Sequence, residues 1–460
     1  MARFIHLIVA ALWAAAYVQA TKKRPAAQRL TDLQRGSYAS MRAISRLMRE
    51  ARDEGIPEYT SRTQMWKARN QIASTPTRFG PLVHELELPS GHEVFVQNPM
   101  AMLDTCCREA PLFNQFLRNA HARTPSSMTN PWRIVMYFDE VGHNPIGRDN
   151  RQLECVCWSF LELGMVALHT EAVWFEVAIT RTEIVAELPA KMSQFIRIIL
   201  NRCFFNDTHS FATGILLHGA LMLFATFACV VADEKALKEV LMHKGASGFK
   251  FCPCCWKIAD HKSTDERLTE CIPATCLDPR VLETQLNTDE TVTAYLQDLK
   301  DNDGLPTKEA FNEWSTFIGW TYHPLSLLSD VALRVGAMSV LMHDWAHVYI
   351  VSGIFQVEMQ CLMIAMSITD NTLLGRLSDF MYEWTWPRHQ SNLHNLFQLT
   401  GKGKRVDLTK DHFSCDAHEA LQAYSVIALF VHLLRPTWPA LQQTIVSVLC
   451  LADVHPLCKL

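Results

Sequence analysis

Two acids in this 460-residue chain stand where an apolar run stops: Asp139 after "WRIVMYF" and Asp233 after "LFATFACVVA". Buried strands that deliver carboxylates to one sheet edge suit Mg²⁺, which takes oxygen ligands and keeps several waters. Two such ions can clamp the attacking and leaving oxygens of an in-line phosphoryl displacement. An acid at a strand end also has a plainer use as a turn former or helix cap. Asp233 precedes "EKALKEVL", a strong helix-forming stretch that it could cap.

A second constellation is thiol-based. Cys252, Cys254 and Cys255 fall within "FCPCCW", and Cys252-x-x-Cys255 has the spacing of half a zinc knuckle. One such pair needs partners, and His261, Cys271, Cys276, His343 and His347 are the candidates; buried structural cysteines are the bland alternative. The third constellation is "MHDWAHVYIVSGIFQVEM", which sets His343, Asp344, His347 and Glu358 in an otherwise apolar stretch. Polar groups on an apolar helix must find partners, as buried core histidines or as a functional cluster.

The elements that position these residues follow from periodicity. "WRIVMYFDE", "LECVCWSFLEL" and "AVWFEVAITRTEIV" read as strands, "AKMSQFIRIILNRCFF" as an amphipathic helix, and the run closing on Asp233 as a further strand followed by a helix. This is an α/β order. Residues 214 to 232 are apolar enough to suggest a membrane span, but His218 and Gly219 interrupt them, so a helix running into a buried central strand is expected. Beyond Trp256 the patterns read as helices, including all of the region from Leu327 to Asp370, where His343 and His347 would share one helical face.

Composition bounds the function. The chain is 49% hydrophobic and 20% charged, an ordinary globular balance. With 43 Lys and Arg against 47 Asp and Glu it has no global preference for a polyanion. Basic residues do outnumber acids between Thr21 and Asn70, where Thr31 to Glu54 reads as a basic amphipathic helix, either a solvated surface helix or a phosphate-contacting one. Fifteen cysteines without a repeating framework point to a reducing compartment. The N-terminal "MARFIHLIVAALWAAAYVQA" points the other way, having the form of a signal peptide or short anchor, or else of a buried first helix.

Taken in order, "MYFDE", "VVADEKAL", "GASGFKFCPCC" and "HDWAH" resemble the catalytic core of DDE-type DNA transposases of the CACTA and Kyakuja-Dileera-Zisupton kind. The resemblance covers roughly residues 130 to 360 and rests on short motifs in the right order. It implies an α/β fold: an RNase H-like mixed sheet flanked by helices, with a large mainly α-helical C-terminal insertion. The matching boundaries are an apolar segment over 1–20, a basic and loop-rich region over 21–130, a catalytic core over 131–256 and a helical insertion domain over 257–460.

The same resemblance implies transposase-like DNA strand cleavage and strand transfer by two-metal catalysis. Asp139 and Asp233 would hold Mg²⁺ (or Mn²⁺), and Cys252 and Cys255 would bind Zn²⁺ with Asp344 and His347. It also implies transposon-end and target DNA as partners, a homo-oligomer, no small-molecule substrate and a nuclear location; a true signal peptide would instead imply the secretory pathway. A third acid is needed. Glu358 is the foremost candidate, ahead of Glu383 and Glu419, but none stands in a matching context, so the resemblance implies a truncated or degenerate copy. The alternative is a non-catalytic, zinc-stapled DNA- or protein-binding remnant of a mobile element.

Overall fold

A computed structural model describes residues 62–141, 152–258, 271–274, 276, 278, 280–281, 286–302, 307–350, 353–386, 393–399, 406–434 and 437–454. The N-terminal apolar segment, the basic helix expected over 31–54 and His261 lie outside the described residues. The chain forms two compact units, one of 62–119 with 215–222 and one of 120–214 with the residues from 223 onward. All of the expected catalytic core except residues 215–222 therefore falls in the same unit as the helical region after it.

In the first unit, strands β1 (Val83–Glu87) and β2 (Glu93–Gln97) pair as an antiparallel hairpin ahead of helix α1 (Pro99–Glu109). Asn98 starts that helix, its side-chain oxygen accepting from the N–H groups of Met100 and Ala101 at 3.1 Å, and Pro99 takes the first helical position, where a missing N–H costs nothing. Asp104 is buried in α1; it pairs with Arg78 and accepts the His218 N–H at 2.7 Å.

The second unit is built on a mixed sheet. Its strands are β3 (Trp132–Val141), β4 (Leu153–Phe160), β5 (Phe175–Arg181), then, after helix α2 (Lys191–Ile199), β6 (Ala225–Ala232), helix α3 (Glu234–Leu241) and, beyond helices α4 (Asp289–Asp301) and α5 (Lys308–Ile318), β7 (Leu341–His343). They lie side by side in the order β5, β4, β3, β6, β7. β4 runs antiparallel to β3 and β5 antiparallel to β4, whereas β6 is parallel to β3 and β7 parallel to β6.

β3 is central, and successive residues Ile134, Val135 and Met136 are all 2% exposed or less, so both of its faces are covered. That explains why it reads as a continuous apolar run rather than an alternating one. In β6, Phe227 stands opposite Ile134 and Cys229 opposite Val135, which leaves Ala228 as the extra residue of a β-bulge.

Two expectations are corrected here. Residues 214 to 232 contain no helix: they divide into short strands Ile215–Leu217 and Leu221–Leu223 and then β6. The chain reverses at Gly219 and Ala220, both at positive φ (76° and 66°), a conformation incompatible with helix continuation. The region from Leu327 to Asp370 is likewise not one run of helix, because residues 341–343 form the edge strand β7, followed by helix α6 (Trp345–Tyr349). A three-residue strand has no periodicity of its own; it exists through its pairing with β6, so tertiary contact overrides local pattern. His343 and His347 consequently do not share a helical face.

Further helices are α7 (Ile354–Thr369), α8 (Leu373–Glu383) and α9 (Ala417–Leu434), as the helical patterns predict, and then α10 (Gln442–Val454). The stretch His347–Thr369 is long and apolar enough to cross a membrane. Within it, however, Met359, Leu362, Met363 and Met366 of α7 are fully buried in a core shared with Leu377, Ile427 and Ile445 of the neighbouring helices.

Candidate functional site

The sheet register determines which side chains meet. Tyr137 of β3 is aligned with Val231 of β6, and Val231 with Met342 of β7. In each of these parallel neighbours an acid follows two residues later: Asp139, Asp233 and Asp344. Side chains two apart lie on one face, so the register sets the three carboxylates in one row at the C-terminal edge of the sheet. The third of them was visible in principle. "LMHD" repeats, in miniature, the apolar run ending on Asp seen in "MYFD" and "VVAD".

Each acid is held differently. The Tyr137 hydroxyl donates to Asp139 Oδ2 at 3.2 Å. Loss of surrounding water lifts the Asp139 pKa above the ordinary carboxylate value; the Tyr137 bond and the His347 ring oppose this, and the Asp233 charge adds to it. Tyr137 in turn is pushed above the usual phenol range by burial and by the charges of Asp139, Asp344 and Asp233, which places all three acids within electrostatic reach of one hydroxyl.

Asp233 is the N-cap of α3, its Oδ1 accepting the Ala236 N–H at 2.7 Å. The plain role anticipated for it coexists with membership of the row. The Asp344 N–H continues the ladder to the Ala232 carbonyl at 2.9 Å, and its Oδ2 lies 2.8 Å from His347 Nδ1. In that bond the ring N–H is the donor, so a neutral His347 carries its proton on Nδ1. Across β3 and β4 the like-charged Glu140 and Glu154 face each other, and Lys235 Nζ relieves the pair by meeting Glu140 at 3.1 Å.

A stability consequence follows for the metal-free protein. Because the folded pKa of Asp139 is raised, the folded state binds the proton more tightly than the unfolded chain does. The cost of ionisation is absent below the unfolded value near 3.8 and fully present above the folded one. Asp139→Asn is therefore expected to be more stable than the parent at pH 7, with the gap closing as pH falls toward 4. Solvent reaches this side chain, so a gain of no more than about 1 kcal/mol is expected in urea titrations at the two pH values.

The thiol turn forms a separate cluster in the same unit. The Cys255 thiol donates to Cys252 Sγ at 3.3 Å. Hydrogen bonding among the three thiols holds the Cys252 pKa well below the ordinary thiol range and pushes those of Cys254 and Cys255 up. Asn287, itself buried, fixes the turn through three bonds: its Nδ2 to the Pro253 carbonyl at 2.7 Å, its N–H to the Cys254 carbonyl at 2.8 Å, and its Oδ1 from Trp256 Nε1 at 2.9 Å. Lys250 Nζ lies over the rings of Trp256 and Tyr295, 4.7 and 4.8 Å from their centres.

Next to the turn lies His243, a residue with no signal of its own in the sequence. It is 7% exposed and packs against Trp320 with ring centres 4.8 Å apart. The Lys244 N–H bonds to Gly319 O at 2.9 Å and the Thr321 N–H to Met242 O at 2.8 Å, clamping the segment. Gly319 caps α5 at φ 83°, and a Cβ there would collide with the Lys250 carbonyl, so this close passage requires glycine. Burial lowers the His243 pKa to about 4, while the charge of Cys252 acts on the ring in the opposite direction.

The structure thus places Asp139, Asp233, Asp344 and His347 at one sheet edge, and Cys252 and Cys255 in a turn with Cys254 beside His243. Glu358 lies in the second turn of α7, half-buried, and Glu383 is exposed at the end of α8. Glu419 serves the backbone instead, since its side chain accepts the Asp416 N–H at 3.1 Å while Asp416 accepts the Glu419 N–H at 2.7 Å, a reciprocal cap of α9. Among the described residues no three His, Cys, Asp or Glu side chains converge as a ready-made ligand set. Compared with known proteins, the chain matches no family model and no curated protein.

Proposed function

We propose that the row Asp139, Asp233 and Asp344 is a metal-dependent phosphoryl-transfer site on an RNase H-like core, and that the chain is a transposase-like protein that cleaves and joins DNA strands. The observation that carries this reading is the register: three acids at equivalent positions at the C-terminal ends of three adjacent parallel strands, Asp139 on β3 and Asp233 and Asp344 directly after β6 and β7. The strand arrangement supports it, since an antiparallel trio β3, β4, β5 followed by β6 and β7 parallel to β3, in the order β5-β4-β3-β6-β7, is the arrangement expected of an RNase H-like sheet.

The chemistry of the donor set fits a hard divalent cation. Three carboxylates gather beside His347 and the Tyr137 hydroxyl, and loss of surrounding water raises the Asp139 pKa, a burden that a bound cation would relieve. Asp139, Asp233 and Asp344 would hold Mg²⁺ or Mn²⁺; once bound, the metal supplies charge that stabilises an in-line displacement at phosphorus. Tyr137 orients Asp139 through its hydroxyl, and His347 fixes one oxygen of Asp344. Asp344, rather than Glu358, serves as the third acid in this reading. Cys252 and Cys255 would bind zinc as a staple apart from the chemistry, the substrate would be DNA, and the working form would be a nuclear homo-oligomer.

The test is cleavage of a labelled DNA duplex by the purified chain with Mg²⁺ or Mn²⁺. Asn caps a helix as well as Asp does, so Asp233→Asn keeps the start of α3 while removing a charge from the row. Cleavage that disappears with chelator and in this variant supports the proposal. Cleavage indifferent to both overturns it, and DNA binding without cleavage in the parent would assign the chain to the non-catalytic remnants.

A further inference from the structure

Beside the thiol turn lies a cavity of about 320 Å³, at the lower end of the range for sites that enclose a small molecule. Lys250, Trp256, Tyr295 and Phe317 line it together with Thr291 and Ala294 of α4. Neither the acid row nor a zinc staple uses these side chains.

The polar groups of the cavity are few and select one kind of ligand. The Lys250 ammonium donates to the Tyr295 hydroxyl at 3.2 Å and lies over the Trp256 and Tyr295 rings. Among the described residues no carboxylate meets this ammonium, so ring faces alone offset its charge. The Tyr295 hydroxyl, having accepted from Lys250, still has its own proton to donate. Other polar groups are committed elsewhere. The Thr291 hydroxyl accepts the Thr288 N–H at 2.8 Å and donates to the Thr288 carbonyl at 2.9 Å, and Trp256 Nε1 is bonded to Asn287. The walls thus offer a cation and a hydroxyl donor among aromatic and methyl surfaces, with no carboxylate lining them.

A matching ligand carries an anion and a flat ring. A nucleotide has both, and stacking on aromatic side chains beside a cation is how single strands are held whatever their sequence. The volume suits one nucleotide and excludes a duplex, whose major groove alone is about 12 Å wide. Helix α4 also joins this cavity to the acid row. Asp289, its first residue, accepts the N–H groups of Met338 and Ser339 at 2.6 and 3.1 Å, and β7 starts two residues further on, with Asp344 behind it.

We infer that the cavity receives one unpaired nucleotide of a DNA strand, with its base against the aromatic wall and its phosphate at Lys250. The flexible lysine stem lets the ammonium follow the phosphate while the rings remain for the base. The inference rests on the DNA reading proposed above, extends it to single strands and does not involve the metal.

The test is binding of a short fluorescein-labelled oligothymidylate to the full chain, followed by anisotropy without divalent cation over a range of salt. Lys250→Met should weaken binding and lower the slope of log affinity against log salt by about 0.7, the loss of one phosphate contact to a single strand. Ala294→Trp sets a bulky ring at an exposed position of α4 on the cavity wall, and should weaken binding about 5–150-fold, as loss of one stacked base does. Thymidine 5′-monophosphate should compete weakly, and inorganic phosphate more weakly still.

Binding unchanged in Ala294→Trp, or weakened in Lys250→Met with the salt slope unaltered, overturns the inference. Should Lys250→Met fold poorly, Ala294→Trp decides alone. Competition by the mononucleotide without oligonucleotide binding assigns the cavity to a free nucleotide and overturns the strand-borne reading. A parent that cleaves duplex DNA with metal, while both variants bind the single strand as it does, refutes this inference alone. A parent that binds the oligonucleotide through Lys250 and never cleaves refutes the catalysis alone.

Discussion

Asp344→Asn is expected to lower divalent-dependent DNA cleavage about a thousandfold or more, whereas Glu358→Gln should leave it within about twofold. If the row holds the metal as proposed, removing one of its carboxylates withdraws several kcal/mol of charge stabilisation, and each 1.36 kcal/mol is tenfold in rate. The contrast between the two acids is the informative part. Asp344 follows β7 at the position equivalent to Asp139 and Asp233 on the adjacent strands, while Glu358 sits in the second turn of α7. His347→Ala should fall between them, at about 10–100-fold, because it removes the partner that orients Asp344 and leaves the carboxylate in place. Single-turnover cleavage rates at saturating Mn²⁺ measure all three, and a large loss in Glu358→Gln with none in Asp344→Asn would reverse the assignment.

Trp158→Ala is expected to destabilise the second unit by about 3–5 kcal/mol, against the 5–15 kcal/mol that stabilise a typical domain. Trp158 is fully buried, with the rings of Phe160, Phe175 and Phe204 centred 5.2–5.3 Å from it and that of Phe211 at 6.0 Å. Two strands, β4 and β5, and the segment after α2 contribute to this cluster, so no single neighbour can collapse into the space left behind. Trp158 pairs with Met136, one residue from Tyr137, and therefore lies on the face opposite the acid row. Urea unfolding should show the loss in full, while the metal-dependent rate per folded molecule stays close to that of the parent.

The long elements were legible in the sequence because each carries its own signal. β3, β4 and β5 are rich in β-branched and aromatic residues, α2 is amphipathic, and "EKALKEVL" behind Asp233 is a helix with its cap attached. What escaped notice is what depends on distant partners. β7 has three residues and exists by pairing with β6, so an apolar helical neighbourhood concealed it, and with it the place of Asp344. The 214–232 run misled because its interruption at Gly219 and Ala220 is a backbone event rather than a change in hydropathy. His243 was missed for another reason: a single buried histidine nine residues before a cysteine turn has no distinctive spacing, and only the folding of the segment against Gly319 and Trp320 brings it there.

The extra residue at Ala228 has a consequence out of proportion to its size. Counting back along β6 without it, Val230 rather than Val231 would stand beside Tyr137, and Ala232 rather than Asp233 beside Asp139. Because a one-residue slip turns every later side chain to the other surface of the sheet, Asp233 would then align with Glu140 and face away from its partner acid. The bulge acts as a phase shifter, cancelling a half-period mismatch between the two strands. A methyl-bearing residue with no chemistry of its own thus decides whether two carboxylates ninety-four positions apart share one surface.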